Sequence, residues 1–288
     1  MLLLGACSAE DGNEFRWAMP ELLTEQAPHI YELWKWAWVA ALITGAIVWA
    51  LIFWVSWRYR RRSDDDIPVQ TRYNLPLEIF YTVAPIMMVI VFFYWTVTVQ
   101  NIVLEETDDP DLTVEVVGQQ WSWTFNHGIG EQRTVESNDE GAHYIQRTTD
   151  EHRYDEYVYT AGTASQVPTL VLPVNETVHF NLHSPDVIHG FWVPGFLMKM
   201  DVIPGRVNSF QVTPNVIGDF RGKCTELCGV YHSRMLFNVK VVSRADYDAY
   251  LDDLEAQGNV SDVPLLGGAD ARTQAGLDSD DDNHGGNE

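Results

Sequence analysis

The sequence predicts a hairpin of two membrane-spanning helices followed by an external domain of short β-strands, arranged as an antiparallel sandwich or barrel. Three observations support this fold class. Two uncharged apolar runs of 22 and 21 residues lie within the first 100 residues. From residue 101 to about 250, short segments rich in β-branched and aromatic residues alternate with Pro, Gly, Asn and Asp, as in all-β domains. The remaining residues, 251–288, are acidic and Gly-rich, and we expect a disordered tail there.

The charge of the chain excludes one class of function. The 288 residues carry 41 Asp and Glu against 18 Lys and Arg, a formal net charge of −23. A nucleic-acid-binding protein needs a basic surface, so that class is excluded. Only four of the bases are Lys, and many acids with few lysines are typical of a protein that stays hydrated in strong salt. We therefore expect a halophilic protein; an acidic docking face for a basic partner is a compatible alternative.

The N-terminal segment, residues 1–33, begins with the letters MLLLGAC. Small residues between a leucine run and Cys7 resemble a lipoprotein signal, in which the cysteine becomes the lipidated first residue of the mature chain. The apolar run is short and no basic residue precedes it. A cysteine without any such role near the terminus is therefore the alternative.

The membrane hairpin, residues 34–100, is predicted from length and from its flanking residues. Helices over about 36–57 and 79–99 are long enough for a hydrocarbon core of about 30 Å. Tryptophans at both ends of the first run form interfacial belts, and a membrane helix tolerates Pro85 in the second. Positively charged loops stay inside the cell, and the connecting loop contains Arg58, Arg60, Arg61, Arg62 and Arg72. We expect a plasma-membrane protein in contact with lipid, with the β-domain and both termini on the external face.

The strongest local signal is the motif Cys224-Thr-Glu-Leu-Cys228-Gly-Val-Tyr-His232-Ser-Arg-Met235. Sulfur ligands combined with imidazole suit copper, zinc or iron–sulfur chemistry, and His189 from a distant strand is the candidate for a further ligand. A Cys224–Cys228 disulfide is plausible outside the cell, but it leaves the histidine and methionine unexplained. A Cys₂His₂ zinc site does not select for methionine. A mononuclear blue copper site uses a single cysteine, and the second one points to two coppers sharing two thiolates.

Several stretches resemble subunit II of the haem–copper cytochrome c oxidases, over roughly residues 30–250. They are the membrane hairpin, Gly118-Gln-Gln-Trp121-Ser-Trp123, Asp186-Val-Ile-His189-Gly-Phe-Trp-Val-Pro194, Lys199-Met-Asp201-Val-Ile-Pro-Gly-Arg206 and the cysteine motif. The resemblance implies that residues 101–250 form a cupredoxin-like Greek-key barrel carrying the binuclear copper centre CuA.

The same resemblance implies the ligand set of that centre. Cys224 and Cys228 bridge both coppers. His189 and Met235 complete one copper, while His232 and the backbone carbonyl of Glu226 complete the other.

Further roles follow from the resemblance, each with a simpler alternative. The Glu226 side chain resembles the residue that reaches a magnesium ion at the boundary with the catalytic subunit; alternatively, it is an ordinary loop acid. Trp121 matches the tryptophan through which electrons enter, although it could be a barrel aromatic like Trp123. Glu78 resembles the glutamate at the mouth of a proton channel, although an acid at a helix end is often only interfacial. Asp186 is a candidate for the donor-facing rim.

The implied function is electron entry into a terminal respiratory oxidase. Electrons from a soluble donor, cytochrome c or a small blue copper protein, pass through CuA to haems in subunit I. The complex, which includes other subunits, reduces O₂ to water and translocates protons. A quinol oxidase subunit II is the first rival, but all six copper-ligand positions are filled here. Nitrous oxide reductase joins a similar domain to a propeller, for which this chain has no room. The second cysteine and the hairpin argue against a free blue copper carrier.

Overall fold

The computed structural model describes residues 16–63, 69–130, 154–163 and 165–267. Cys7, with its expected lipid, and residues 268–288 of the expected tail lie outside these ranges. Two long helices, α1 (Ala27–Arg58) and α2 (Leu75–Val103), form the predicted hairpin. Each is long and apolar enough to cross a membrane, and the most apolar stretch of each is not buried inside the protein. Exposed apolar side chains along both helices are what contact with lipid requires.

Both helices extend beyond the uncharged runs that predicted them. The α2 helix begins at Leu75 because Asn74 caps it, with its side-chain oxygen accepting a hydrogen bond from the Leu77 amide (3.4 Å). The α1 helix begins with a proline in its first turn, a position where the missing N–H costs nothing. Helical structure therefore continues into the polar flanks, where hydropathy alone gives no signal.

Among the described residues, the hairpin is attached to the β-domain at the end where α1 begins and α2 ends. Before α1, Leu23 is 2% exposed, and its amide donates to the Gly195 carbonyl at 3.0 Å. After α2, both the amide and the carbonyl of Thr107 bond to the Gln211 side chain, each at 2.8 Å. The end of α1 at Arg58 and the start of α2 at Leu75 therefore lie at the far end of the hairpin from the β-domain, as the predicted topology requires.

The β-domain consists of two packed sheets. Its strands are β1 (Leu112–Gln119), β2 (Ser122–Ile129), β3 (Glu156–Ala161), β4 (Thr169–Pro173), β5 (Val178–His183), β6 (His189–Trp192), β7 (Lys199–Val202), β8 (Asn208–Val212), β9 (Gly218–Cys224), β10 (Leu236–Val242) and β11 (Val260–Ser261). One sheet has the order β11-β3-β2-β1-β5-β8 and the other the order β4-β10-β9-β6-β7. The cupredoxin-like fold class is confirmed.

Two strand pairs depart from the antiparallel pattern that the strand spacing predicted. Strand β1 pairs in parallel with β5, and β4 pairs in parallel with β10. Parallel neighbours need a long crossover connection, and in both cases the intervening strands of the barrel supply it. Strands β2 and β3 also pair with each other, in antiparallel orientation.

The core lies between the two sheets and reaches the cysteine motif. Phe191 and Phe237 stack with ring centroids 5.0 Å apart. Trp123 is fully buried, and its ring meets both of them edge-on. Its indole N–H points to the backbone carbonyl of Met235 at 3.4 Å. The end of the cysteine motif therefore rests on the aromatic core of the domain.

The folded domain continues past the predicted boundary at residue 250. Helix α3 (Arg244–Ala256) packs on the barrel through Tyr247, Leu251 and Leu254, whose spacing places them on one face. Strand β11 then pairs with β3. The acidic composition of this region masked a narrow apolar stripe, and residues 251–261 belong to the domain rather than to a tail.

Candidate metal centre

Two adjacent strands and one loop bring the predicted ligand residues together. His189 is the first residue of β6 and Cys224 is the last of β9. The loop after Cys224 leads back to β10, and the Cys224 amide donates to the Met235 carbonyl at 3.0 Å. The next amide, of Thr225, donates to the Gly190 carbonyl at 3.1 Å. The backbone of both neighbouring segments therefore holds the loop in place.

The Cys224 thiol has three potential ligand atoms around it. Its Sγ lies 3.8 Å from Cys228 Sγ, 3.9 Å from His189 Nδ1 and 3.3 Å from the Glu226 carbonyl oxygen. His189, Cys224 and Cys228 are all buried, and their ligand atoms lie within 4.8 Å of one another. This trio is a candidate copper-binding site.

The Cys228 thiol has the remaining two donors around it. Its Sγ lies 3.5 Å from His232 Nδ1 and 3.7 Å from Met235 Sδ. The two sulfur atoms and the four other groups named from the sequence therefore form one cluster. Two thiols, two imidazoles, a thioether and a carbonyl form a donor set that suits copper, and the residues fit a binuclear centre.

The sulfur atoms are not joined as a disulfide. Their separation of 3.8 Å is far above the bond length of about 2.05 Å, and both cysteines are free. Burial raises the pKa of the Cys224 thiol, but His189 and nearby backbone groups outweigh it and lower that pKa to about 7. Burial and the neighbouring Cys224 charge raise the pKa of Cys228 to about 12. The pair therefore ionises once readily, and a second thiolate requires a compensating cation.

Asp186 fixes the orientation of the His189 ring. Its Oδ1 lies 2.8 Å from His189 Nε2, which leaves Nδ1 directed toward Cys224. Burial opposes ionisation of the carboxyl, but its bonds to His189 and to the Gln120 and Val187 amides outweigh that effect, and the pKa of Asp186 is lowered. A carboxylate on the far nitrogen of a ligand histidine sets its tautomer. From the sequence, Asp186 was a candidate only for the donor-facing rim, and its three-residue spacing to His189 was the signal for this contact.

Trp121 contacts the cysteine motif from the turn between β1 and β2. Its indole Nε1 donates to the Cys228 carbonyl at 3.1 Å, and Gln120 Nε2 donates to the same oxygen at 2.7 Å. The ring also meets Tyr231 edge-on at 5.0 Å. Gly229, with a φ of 122°, leaves room for the indole, since a Cβ there would lie 3.0 Å from it. Trp121 is partly exposed whereas Trp123 is buried, and sequence reasoning missed Gln120.

Glu78 lies in the first turn of α2, far from the cysteine motif. Its Oε1 accepts a hydrogen bond from the Asn74 amide at 2.9 Å, so the carboxylate helps to cap the helix. It lies at the end of the hairpin away from the β-domain and does not join the sulfur cluster. Capping accounts for its position without any further role.

A cleft of about 510 Å³ opens beside the cluster. Its lining is Trp192, Lys199, Lys223, Cys224, Thr225, His232, Ser233 and Leu236. Lys223 Nζ lies 4.8 Å from the centre of the Trp192 ring. Two of the four lysines in the chain therefore border the site, a concentration that was not recognised from the sequence.

The fold and the site together define a membrane-anchored, cupredoxin-like protein with an external candidate copper site. A family model described as "Cytochrome C oxidase subunit II, periplasmic domain" matches residues 112–242. The chain belongs to the cytochrome c oxidase subunit II family, as its relatives show.

Those relatives match most of the chain. A "Probable cytochrome c oxidase subunit 2" of Streptomyces coelicolor is 47% identical over 271 residues, covering 90% of this chain and 84% of that protein. The "Cytochrome c oxidase subunit 2" of Mycobacterium tuberculosis is 36% identical over 281 residues, covering 86% and 77%. The crystal structure of the periplasmic domain of subunit II of a Bradyrhizobium japonicum cytochrome oxidase aligns with a TM-score of 0.38 and 24% identity, covering 53% of this chain and 99% of that one.

Proposed function

We propose that this chain is the electron-entry subunit of a terminal respiratory oxidase. It accepts electrons from a soluble donor, cytochrome c or a small blue copper protein, and passes them to the haem–copper site of subunit I, coupled to proton translocation. The observation that carries the proposal is the convergence of four further donor groups on the two neighbouring sulfurs of Cys224 and Cys228.

The proposed ligand set is that of CuA, a binuclear copper centre that takes up and releases one electron at a time. Cys224 and Cys228 would supply the thiolates that the two coppers share. His189 and Met235 would complete one copper, and His232 with the Glu226 carbonyl would complete the other. Because β6, β9 and the core hold these groups, the protein contributes a rigid frame that changes little between oxidation states.

Trp121 is the proposed point of electron entry. A partly exposed indole that is hydrogen-bonded to the backbone of Cys228 connects the protein surface to the ligand loop through few bonds. Asp186 beside it bonds to the Gln120 amide, which ties the entry turn to the His189 side of the site. The two contacts support a donor surface that spans this turn.

Three further assignments stay proposals. The Glu226 side chain would bind magnesium at the boundary with subunit I, whereas its backbone carbonyl faces Cys224. Glu78 would stand at the cytoplasmic mouth of a proton channel in subunit I. Its position at the end of α2 away from the β-domain is compatible with that role, and with capping alone. The external location of both termini is a proposal that rests on the arginine-rich loop.

Copper binding is tested on the full-length chain purified in detergent. We expect two coppers per chain, a purple colour and a mixed-valence EPR signal. Cys224→Ser or Cys228→Ser should abolish this signal, whereas Met235→Leu should only perturb it, because a thioether is a weak ligand. Leu236→Ala, a change beside the loop, serves as the control. A single zinc per chain, or an intense blue mononuclear spectrum, would contradict the proposal.

A further inference from the structure

The face of the six-stranded sheet turned away from the core carries polar side chains that are nevertheless buried. Glu115 on β1 lies opposite Asn181 on β5, and His183 lies opposite Val117. One oxygen of Glu115 accepts a hydrogen bond from Asn181 Nδ2 at 2.9 Å, and the other contacts His183 Nε2. The side chains of His183 and Glu115 are only 2% and 3% exposed. Neither belongs to the donor set around the cysteines.

A chain of hydrogen bonds extends from this pair toward the membrane hairpin. Gln211 Nε2 donates to the Thr107 carbonyl at 2.8 Å and lies 3.2 Å from His179 Nδ1. His179 Nε2 lies 3.0 Å from Asn181 Oδ1. Since an amide NH₂ can only donate, His179 accepts at Nδ1 and donates from Nε2. From Gln211 through His179 to Asn181, the donors therefore point toward Glu115, whose carboxylate accepts the last hydrogen bond of the chain.

At its other end the pair anchors the loop that leads to the site. His183 is the last residue of β5 and His189 the first of β6, so residues 184–188 connect them. Within this loop, Ser184 Oγ donates to the Val187 carbonyl, and Asp186 accepts from the Gln120 amide at 2.7 Å. The loop therefore has one anchor at the β1–β2 turn and the other at the Glu115–His183 pair.

Such a pair is not explained by stability. Taking a carboxylate and an imidazole out of water is costly, and apolar side chains of similar volume are often as stable or more so. What a buried polar pair does provide in some proteins is a single defined arrangement of the segments it joins. Here the segment that benefits is the loop that ends at His189.

We propose that Glu115 and His183 are positioning residues for His189. Their buried pair fixes the β5 end of the 184–188 loop, and the loop in turn holds the Asp186 carboxylate that directs the His189 ring toward Cys224. The inference rests on the proposed copper role of His189. Neither Glu115 nor His183 contacts the proposed metal; both act through the 184–188 loop.

The test uses full-length chain loaded with copper in detergent at pH 7.5. The variants are His183→Leu, His183→Gln, and the double variant Glu115→Leu with His183→Leu. The measurements are the copper EPR spectrum, the midpoint potential and the rate of copper loss to a chelator. For both leucine variants we expect altered hyperfine structure, a shifted midpoint potential and faster copper loss. The loss should be about tenfold faster, which is the lower end of the effect that hydrogen-bond partners of metal ligands have on metal affinity. His183→Gln keeps a donor near the Glu115 carboxylate and should restore wild-type values.

His127→Leu is the matched control, because His127 is also a fully buried histidine of this sheet. It bonds to Tyr247 at 2.8 Å and not to the 184–188 loop. We expect a lower melting temperature with an unchanged copper spectrum. The double variant leaves no unpaired buried charge, so its copper properties can be measured even if His183→Leu does not fold. Wild-type copper properties in the double variant, or the same change in the control, would overturn the inference alone. A wild-type chain that fails to take up two coppers would overturn the proposed function as well.

Discussion

The indole N–H of Trp121 donates a hydrogen bond of 3.1 Å to the backbone carbonyl of Cys228. An aromatic side chain at the surface is thus joined directly to one of the two cysteines of the candidate centre. The two residues are 107 positions apart in sequence. The barrel brings them together because the β1–β2 turn and the loop after β9 lie at the same end of the domain.

Replacing Trp121 by Ala should separate electron entry from copper binding. Both coppers should remain, because the indole is not a ligand, while oxidation of the soluble donor by the complex should slow sharply. Stopped-flow oxidation of reduced cytochrome c, compared with electrons supplied directly to the haems, measures the difference. Trp121→Phe keeps an aromatic ring but loses the indole N–H, and it serves as the comparison. Normal donor oxidation in Trp121→Ala would remove this residue from the electron path.

Replacing Asp186 by Asn should weaken copper binding without abolishing it. The ring contact can persist, but the negative charge behind His189 is lost, so His189 becomes a poorer donor and the midpoint potential rises. Loss of such an outer partner costs about 10- to 100-fold in metal affinity. Asp219→Asn removes an equal charge from an exposed position of β9 and should leave affinity and potential unchanged. If the two variants had equal effects, Asp186 would act only through its contribution to the net charge and not through its contact with His189.

Replacing Glu78 by Gln tests proton entry separately from electron entry. Copper spectra and donor oxidation into CuA should be preserved, whereas turnover at the oxygen site should slow, most visibly during its reduction. Gln can still accept the Asn74 amide, so the helix cap is retained. Oxygen consumption and single-turnover reduction of the complex provide the readout. Normal turnover would leave Glu78 with its capping role alone.

Burial lowers the pKa of His127 from 6.5 to about 4. The folded domain therefore holds this ring neutral, whereas the unfolded chain takes up a proton below pH 6.5. The contribution to stability is complete above pH 6.5 and is lost as the pH falls toward 4. At 1.36 kcal/mol per unit, the full loss is about 3 kcal/mol. The melting temperature in detergent should fall between pH 7 and 5 more steeply for the wild type than for His127→Phe; parallel curves would contradict this assignment.

The acidic surface should make stability depend on salt. From residue 101 onward the chain has 31 acidic and 11 basic residues. Raising the salt from 0.1 M to 1 M shortens the Debye length from about 10 Å to about 3 Å and screens their repulsion. We expect the melting temperature of the β-domain in the detergent-solubilised chain to rise with NaCl concentration. A melting temperature independent of salt would contradict the halophilic interpretation, which rests on composition alone.

The sequence by itself determined the hairpin and the identity of the donor groups. Uncharged runs of about 20 residues have few stable alternatives to a membrane helix, because every backbone group must bond within its own segment. The cysteine motif places five of the six donor groups within twelve residues, so their proximity needed little folding information. His189 was assigned to the site by chemistry and by resemblance, without knowledge of the strand that carries it.

Only the tertiary structure decided which groups surround those donors. The pairing of β6 with β9 brings Phe191 opposite Cys224, and thereby places His189 beside the thiol. The contacts of Gln120 with Cys228 and of Glu115 with His183 join segments that are distant in sequence, and such contacts leave no periodic signal in a single chain. The stripe on α3 was likewise hidden, because three apolar side chains among many acids bury enough surface only when a barrel is present to receive them.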